Sequence, residues 1–172
     1  MRYIITANSV IIIKGDVRAE FLKISFSQDI LTHPILENLS MCDLKTVWDD
    51  LYGIPKTIKD ILRKKNQIYR KSLDVRAFLY KGKNYWISKE DRASLWNISN
   101  SVVGNVDLVV GNDILNMSAL QLKSFLLKLE NHAYKCYVNE TKHLQCIDKL
   151  STPEEIINYD YTTGYPEKIV LE

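Results

Sequence analysis

From residue 118 to residue 150 the chain has neither proline nor glycine, and Leu122, Leu126, Leu129, Ala133, Cys136, Glu140, His143, Ile147 and Leu150 follow one another at alternating steps of four and three. Those steps put all nine on one stripe of a single helix. A helix of about 30 residues is well over twice the usual mean of about 11 or 12. The rest of the chain must therefore either cover the stripe or leave it to a partner. Seven of the nine are apolar or cysteine, while Glu140 and His143 form a polar band. In a coiled-coil seam such a layer lowers stability but fixes register and partner number. Two readings stand. The stripe packs on the chain's own elements, through Leu122, Phe125, Leu126 and Leu129 in its first half, or it is an intermolecular seam, which allows a homo-oligomer. A period of 3.5 over four heptads does not separate from 3.6.

What precedes this helix is written twice. "FLYKGKNYWISKEDRASL" (78–95) and "DLVVGNDILNMSALQLKSF" (107–125) each run apolar residues into a glycine turn, out again, and into a serine that opens a helical pattern. In the first copy, residues 75–80 and 83–87 flank Lys81-Gly82, and Ser88 is placed to cap a helix that carries Leu95, Trp96, Ile98 and Val102 inward until Gly104. In the second, residues 106–110 and 114–116 flank Gly111-Asn112, and Ser118 with Gln121 makes a capping box. A lone hairpin is marginal in water, whereas two hairpin-helix units can cover each other.

Upstream, "YIITANSVIIIKGD" (3–16) reads as a hairpin around Ala7-Asn8 ended by Gly15-Asp16, and "AEFLKISF" (19–26) alternates through Leu22, Ile24 and Phe26 as a third strand. Ser40 and Asp43 form a capping box for a helix bearing Leu44, Val47, Trp48 and Leu51, stopped by Gly53 and Pro55. Thr57 opens a second helix with Ile58, Ile61, Leu62, Ile68 and Tyr69 on its apolar side, ending near Lys71. Beyond the long helix, Thr152-Pro153-Glu154-Glu155 gives cap, N1 proline and acidic first turn of a last helix to about residue 159. The tail carries Tyr165 and a strand-like Ile169-Val170-Leu171, which either closes the chain's own sheet or adds an edge strand to a neighbour. The expected fold class is α+β: an N-terminal small antiparallel sheet, central helices and a C-terminal β-hairpin/helix/β-hairpin/long-helix module. The expected segments are 1–72, 73–160 and an extended tail, 161–172.

Composition narrows the function classes. With 46% hydrophobic residues, 26% charged and a net charge of +2, the chain has the make-up of a folded domain rather than a disordered one. No apolar run reaches the roughly 20 residues that span a bilayer, and the first residues read as a strand rather than a secretory signal, so no membrane partner and folding in the cytosol are expected. Three cysteines without CxxC spacing are expected to be reduced, buried thiols. GxGxxG, P-loop, HExxH and GxSxG are all missing, so neither a cofactor nor a catalytic role is expected. His132, Cys136, Glu140 and His143 share one side of the long helix with Cys146 close by, and i, i+4 spacing lets such groups meet one zinc ion. A single helix seldom closes a metal site by itself, so the same residues read first as stripe. Asp49 and Asp50 point about 100° apart on a helix and read as solvated surface, not a carboxylate dyad.

Charge is uneven along the chain. Residues 63–92 hold ten basic groups against three acidic, interleaved with Tyr69, Tyr80, Tyr85 and Trp86. Arg63, Lys64, Lys65, Arg70, Lys81, Lys83 and Tyr85 are of the types that hold phosphates and stack bases, which gives an alternative function: a cytosolic single-stranded nucleic-acid-binding regulator. An acidic protein partner would suit the same groups. Hairpin lysines also guard exposed edges, and solvated surface is the reading preferred here.

"YKGKNYWISKEDRASLWNIS" and, after a short strand pair, "LNMSALQLKSFLLKLENHAYKCYVNETKHLQCIDKLSTPEEIINYD" together resemble a domain of unknown function common in tailed-bacteriophage tail-fibre and fibre-assembly proteins. The shared pattern is a Y-x-G-K hairpin, a helix with an early Arg, an L-[ST] opening of a long helix, and an ending of the form I-[DN]-x-[LA]-x-T-x-E-E-[IL]. It falls on Tyr80, Gly82, Lys83, Arg92, Met117 (where Leu is usual), Ser118, Leu122, Ile147, Asp148, Thr152, Glu154, Glu155 and Ile156, and covers half the chain. The resemblance implies a non-catalytic place in a virion tail or its assembly line, made in the host cytoplasm, with other tail or fibre subunits as partners. On that reading the contact residues are the nine of the stripe together with Tyr165, Ile169 and Leu171.

Overall fold

The computed structural model describes residues 1–52 and 56–171; the helix stop read at Gly53 and Pro55, and the cap read at the Thr57 side chain, lie outside the described residues. Along the chain the elements are β1 (Arg2–Ile5), β2 (Ser9–Lys14), β3 (Val17–Leu22), α1 (Phe26–Thr32), a 3-10 turn (Pro34–Asn38), α2 (Met41–Tyr52), α3 (Lys56–Lys71), α4 (Leu73–Arg76), β4 (Phe78–Tyr80) and β5 (Lys83–Tyr85). There follow α5 (Lys89–Ser101), β6 (Asn105–Val110), β7 (Asp113–Ser118), α6 (Ala119–Lys149), α7 (Pro153–Asn158) and β8 (Val170–Leu171). The fold is α+β. The chain forms two compact units, 1–68 with 142–161 and 69–141 with 162–172. The expected borders after 72 and 160 lie near two of these; the third, after residue 141, falls inside α6.

In the first unit β1, β2 and β3 pair antiparallel in that order. Val10 and Ile12 of the central strand are wholly buried, and the register sets Phe21 opposite Val10 and Ala19 opposite Ile12. The buried phase of β3 is therefore Ala19 and Phe21, and the alternation expected through Leu22, Ile24 and Phe26 is corrected: Leu22 is 59% and Ile24 94% exposed. A shift of one residue turns every side chain of a strand to the other face. The strand ends at Leu22, and Phe26 instead opens α1 with its ring buried 5.3 Å from those of Phe21 and Trp48. The following 3-10 turn is capped by His33, whose Nδ1 accepts from the Ile35 N–H at 3.1 Å.

The capping box of α2 is present, with Ser40 N–H to Asp43 and Asp43 N–H to Ser40 Oγ both 3.1 Å. Leu44, Val47 and Trp48 on α2 and Ile58, Ile61 and Leu62 on α3 are buried as their spacing requires. Ile147 and Ile156 complete this core. The box at Thr152 and Glu155 opens α7 behind Pro153.

The second unit holds the duplicated pieces. Lys81 and Gly82 take φ of 47° and 72°, the left-handed pair that a two-residue hairpin needs. Residues expected to begin that hairpin's first strand form the single turn α4 instead. Ser88 Oγ accepts from the Asp91 N–H at 3.0 Å and starts α5. The inward face of α5 is not the one expected: Arg92 and Ser99 are buried, Leu95 and Trp96 half-buried, and Ile98 and Val102 turn out to solvent. On β6, Val106, Leu108 and Val110 alternate into the core, where they meet Phe78, Leu122, Phe125, Leu126 and Leu129. Ser118 and Gln121 exchange bonds of 2.9 and 3.2 Å at the start of α6.

The tail closes its own sheet. Strand β8 runs parallel to β4, giving the order β5-β4-β8, with Leu79 N–H donating to Ile169 O at 2.8 Å. Asn139 Nδ2 donates to Thr163 O at 2.8 Å, the Tyr165 ring meets Tyr69 edge-on at 5.5 Å, and Lys168 Nζ reaches Asn84 at 3.1 Å. No helix among the described residues is long and apolar enough to cross a membrane.

Candidate functional site

The stripe of α6 is covered by its own chain. Leu122, Leu126 and Leu129 lie in the core of the second unit and Ile147 in that of the first; Cys136, Glu140 and His143 are also buried, and Ala133 and Leu150 half-buried. The polar band has local partners: Glu140 pairs with Arg70, and His143 Nδ1 lies 2.7 Å from the Tyr159 hydroxyl. His132 Nε2 meets the Val75 carbonyl at 2.9 Å. An intermolecular seam through these nine positions would need side chains that are already packed, so of the two readings the burial agrees with packing on the chain itself. Among the described residues no three His, Cys, Asp or Glu groups are gathered to hold a metal ion. Of the tail residues offered to a partner, Tyr165 is half-buried, and Ile169 and Leu171 pack on the second core.

Another face of α6 is open. Leu120, Leu127, Tyr134 and Tyr137 are 77, 57, 65 and 56% exposed. The first three are one heptad apart, a signal present in the sequence but hidden by the lysines and Glu130 between them. Beside Leu127 a groove of about 360 Å³ runs between α5 and α6, floored by Ala93, Trp96 and Leu126. On its rim Arg92, only 5% exposed, is held three ways: Nε donates to Glu130 at 2.7 Å, a terminal nitrogen to the Ile87 carbonyl at 2.6 Å, and its plane lies 4.5 Å from the Trp86 ring.

The basic segment does not form one patch. Arg63, Lys64 and Lys65 belong to the first unit, while Arg70, Lys81, Lys83 and Tyr85 belong to the second. Arg63 is shared by Asp60 and Asp148, and the Asp148 hydrogen bond holds its protonated form more firmly than usual. Lys65 donates to the carbonyls of Leu36 and Leu39, and burial lowers its pKa. Arg70 is taken by Glu140, and Lys81 by Asp113 at 2.9 Å. Lys83 is exposed, Lys64 half-buried, and Tyr85 leans over the second hairpin's turn. Four of the seven groups offered to phosphates thus already have acceptors.

A larger groove, about 720 Å³, lies between β7 and β8. Ile114, Leu115, Asn116 and Met117 line one side, Ile169, Val170 and Leu171 the other, and Gln121, Ser124, Phe125 and Lys128 of α6 form its floor.

Reactive chemistry is sparse around these surfaces. Burial pushes the Cys136 thiol up to about 11 and the Tyr165 phenol to about 12. Both are poor nucleophiles at neutral pH. Cys42 and Cys146 are exposed and free, which corrects the expectation that all three thiols are buried. Asp49 accepts from Lys45 and Asp50 from Tyr3, so the adjacent carboxylates serve separate partners.

Fold and surface together define an α+β protein of two discontinuous units with apolar side chains left open on its longest helix. No family model matches the chain, and no curated protein or solved structure matches it.

Proposed function

We propose that the chain is a non-catalytic bacteriophage tail structural or accessory protein, acting in tail or tail-fibre attachment or assembly by protein-protein contact. The family is suggested by the hairpin, cap and capping-box residues that resemble the tail-associated domain. The observation that carries the contact reading is the row Leu120, Leu127, Tyr134 and Tyr137, exposed along one helix. Large apolar groups spaced this way on an otherwise charged surface are what partner-binding helices present. The contact surface is therefore this outer row with the adjoining Trp96 groove, in place of the buried stripe.

A mass-spectrometric inventory of purified virions and of tail assembly intermediates tests the proposal. Peptides of this chain in particles make it a component, and peptides only in intermediates make it an assembly factor. Leu127→Glu with Tyr134→Glu should remove it from both. A strictly monomeric protein that accompanies no tail component would sink the idea. The single-stranded nucleic-acid alternative has less to stand on, since Arg63, Lys65, Arg70 and Lys81 are engaged within the chain.

A further inference from the structure

The groove between β7 and β8 is bounded by two strand edges rather than by two side-chain faces. Four consecutive residues of β7 and three consecutive residues at β8 line it, so both side-chain phases of each strand border the groove, as a strand edge presents them.

Hydrogen-bond register says which backbone groups point in. In the β6-β7 hairpin, Val110 and Asp113 flank a two-residue turn and form a bonded pair; bonded and non-bonded pairs then alternate, so Ile114 and Asn116 turn their N–H and C=O away from β6. On the other wall, Leu79 N–H donates to Ile169 O while Leu79 sits opposite Val170. In a parallel ladder this leaves the N–H and C=O of Val170 directed away from β4. Neither edge has a further strand beside it among the described residues.

We infer that this groove is a slot for one extended polypeptide segment from another protein, which would add as a strand between β8 and β7 and join the two sheets in the order β5-β4-β8-guest-β7-β6. The guest's side chains alternate. One set lies over the floor, where Phe125, with Leu115 and Met117 of the β7 wall beside it, favours apolar groups; Lys128, the charged side chain lining the groove, favours a carboxylate in that same set. The guest is therefore a segment of alternating β-branched residues with a glutamate or aspartate. This rests on the protein-contact reading above but concerns a different face from the Leu127 row.

The test uses the full chain, labelled with ¹⁵N, and two synthetic peptides, acetyl-Val-Thr-Glu-Thr-Val-Thr-amide, whose Glu shares the floor-facing phase of its valines, and its Glu→Lys counterpart. The Glu peptide should shift the amides of residues 114–117 and 169–171, and the Lys peptide should bind about fivefold more weakly. Lys128→Glu should reverse that order. Ile114→Pro should abolish binding while the hairpin stays folded, since its N–H lies outside the β6 ladder and proline is tolerated on such an edge. If that variant does not fold, the reversal at Lys128 decides alone. The inference is overturned if neither peptide shifts those amides, if the shifts fall on residues 93–97 instead, or if the slot is filled by a second copy through paired β7 edges, seen as a dimer. Any of these failures leaves the virion inventory free to succeed, so the two ideas fail separately.

Discussion

Arg92 stacks its guanidinium 4.5 Å from the centre of the Trp86 ring while holding Glu130 and the Ile87 carbonyl. A cation enters the interior of the second unit because two of its nitrogens have acceptors and its flat face has an indole beside it. In the sequence the same arginine belongs to the basic run of residues 63–92, whose preferred reading is solvated surface; in the fold it is buried.

Arg92→Ala is expected to lower stability by about 2–4 kcal/mol, since it strips a buried carbonyl of its donor and uncovers the indole. Glu130→Gln should cost less than about 1 kcal/mol, because its side chain is 54% exposed. Arg92→Lys should fall between, lacking the planar fork. Chemical denaturation of the three variants checks this, and equal losses for Arg92→Ala and Glu130→Gln would contradict it.

Gly82 is the second residue of its two-residue turn and Gly111 the first of its own, with φ of 72° and 62°, and alanine should not cost the same at each. At Gly82 a Cβ meets open space, so Gly82→Ala loses about 1–2 kcal/mol from the left-handed backbone alone. At Gly111 a Cβ would lie 2.8 Å from the Tyr85 ring. Gly111→Ala should be the more damaging, and Tyr85→Ala in the same chain should remove the difference, as read from a double-mutant cycle of melting curves.

Stability should decline in alkali. Burial raises Tyr165 and, through burial and then Cys146, Tyr159 to about 12, and raises Cys136 to about 11. Each is neutral in the fold at a pH where the unfolded chain has already lost the proton. Their contribution is intact below the unfolded values of 10.0 for tyrosine and 9.0 for cysteine, and is lost as pH rises through the folded ones. Denaturation midpoints should fall between pH 9 and 12, and Tyr165→Phe should flatten the upper part of that fall. A midpoint indifferent to pH over this window would refute the assignment.

Thiol labelling gives a sharper readout of burial. Iodoacetamide at pH 8 should modify Cys42 and Cys146 in the native protein and reach Cys136 only after denaturation, which peptide mass mapping can follow. Early labelling of Cys136 would mean that this part of α6 opens readily.

Legibility followed distance along the chain. Ser40, Ser88, Ser118 and Thr152 each satisfy backbone donors three residues on, so a short window carried the whole signal and the helices begin where those caps stand. The phase of β3 depends on which residues of β2 it meets, and Leu22, Ile24 and Phe26 look as apolar as Ala19 and Phe21 until that partner is chosen. The two-residue β8 carries nothing that specifies β4, or a parallel direction, as its mate. The stripe on α6 is apolar by inspection, but periodicity reports only that a face is covered and never by what. The groove between β7 and β8 is illegible in the sequence for the same reason: it forms only where Ile114 and Val170, remote along the chain, line one surface.

Because residues 142–161 complete the core built by residues 1–68, the gene cannot be split at the expected border after residue 72. A fragment ended at residue 72 would leave Phe26 and Trp48 without Ile147 and Ile156 as core-mates, and one begun at residue 73 would carry those two as greasy orphans. Either half made alone should therefore aggregate, and soluble material should return only when both are synthesised together in one cell.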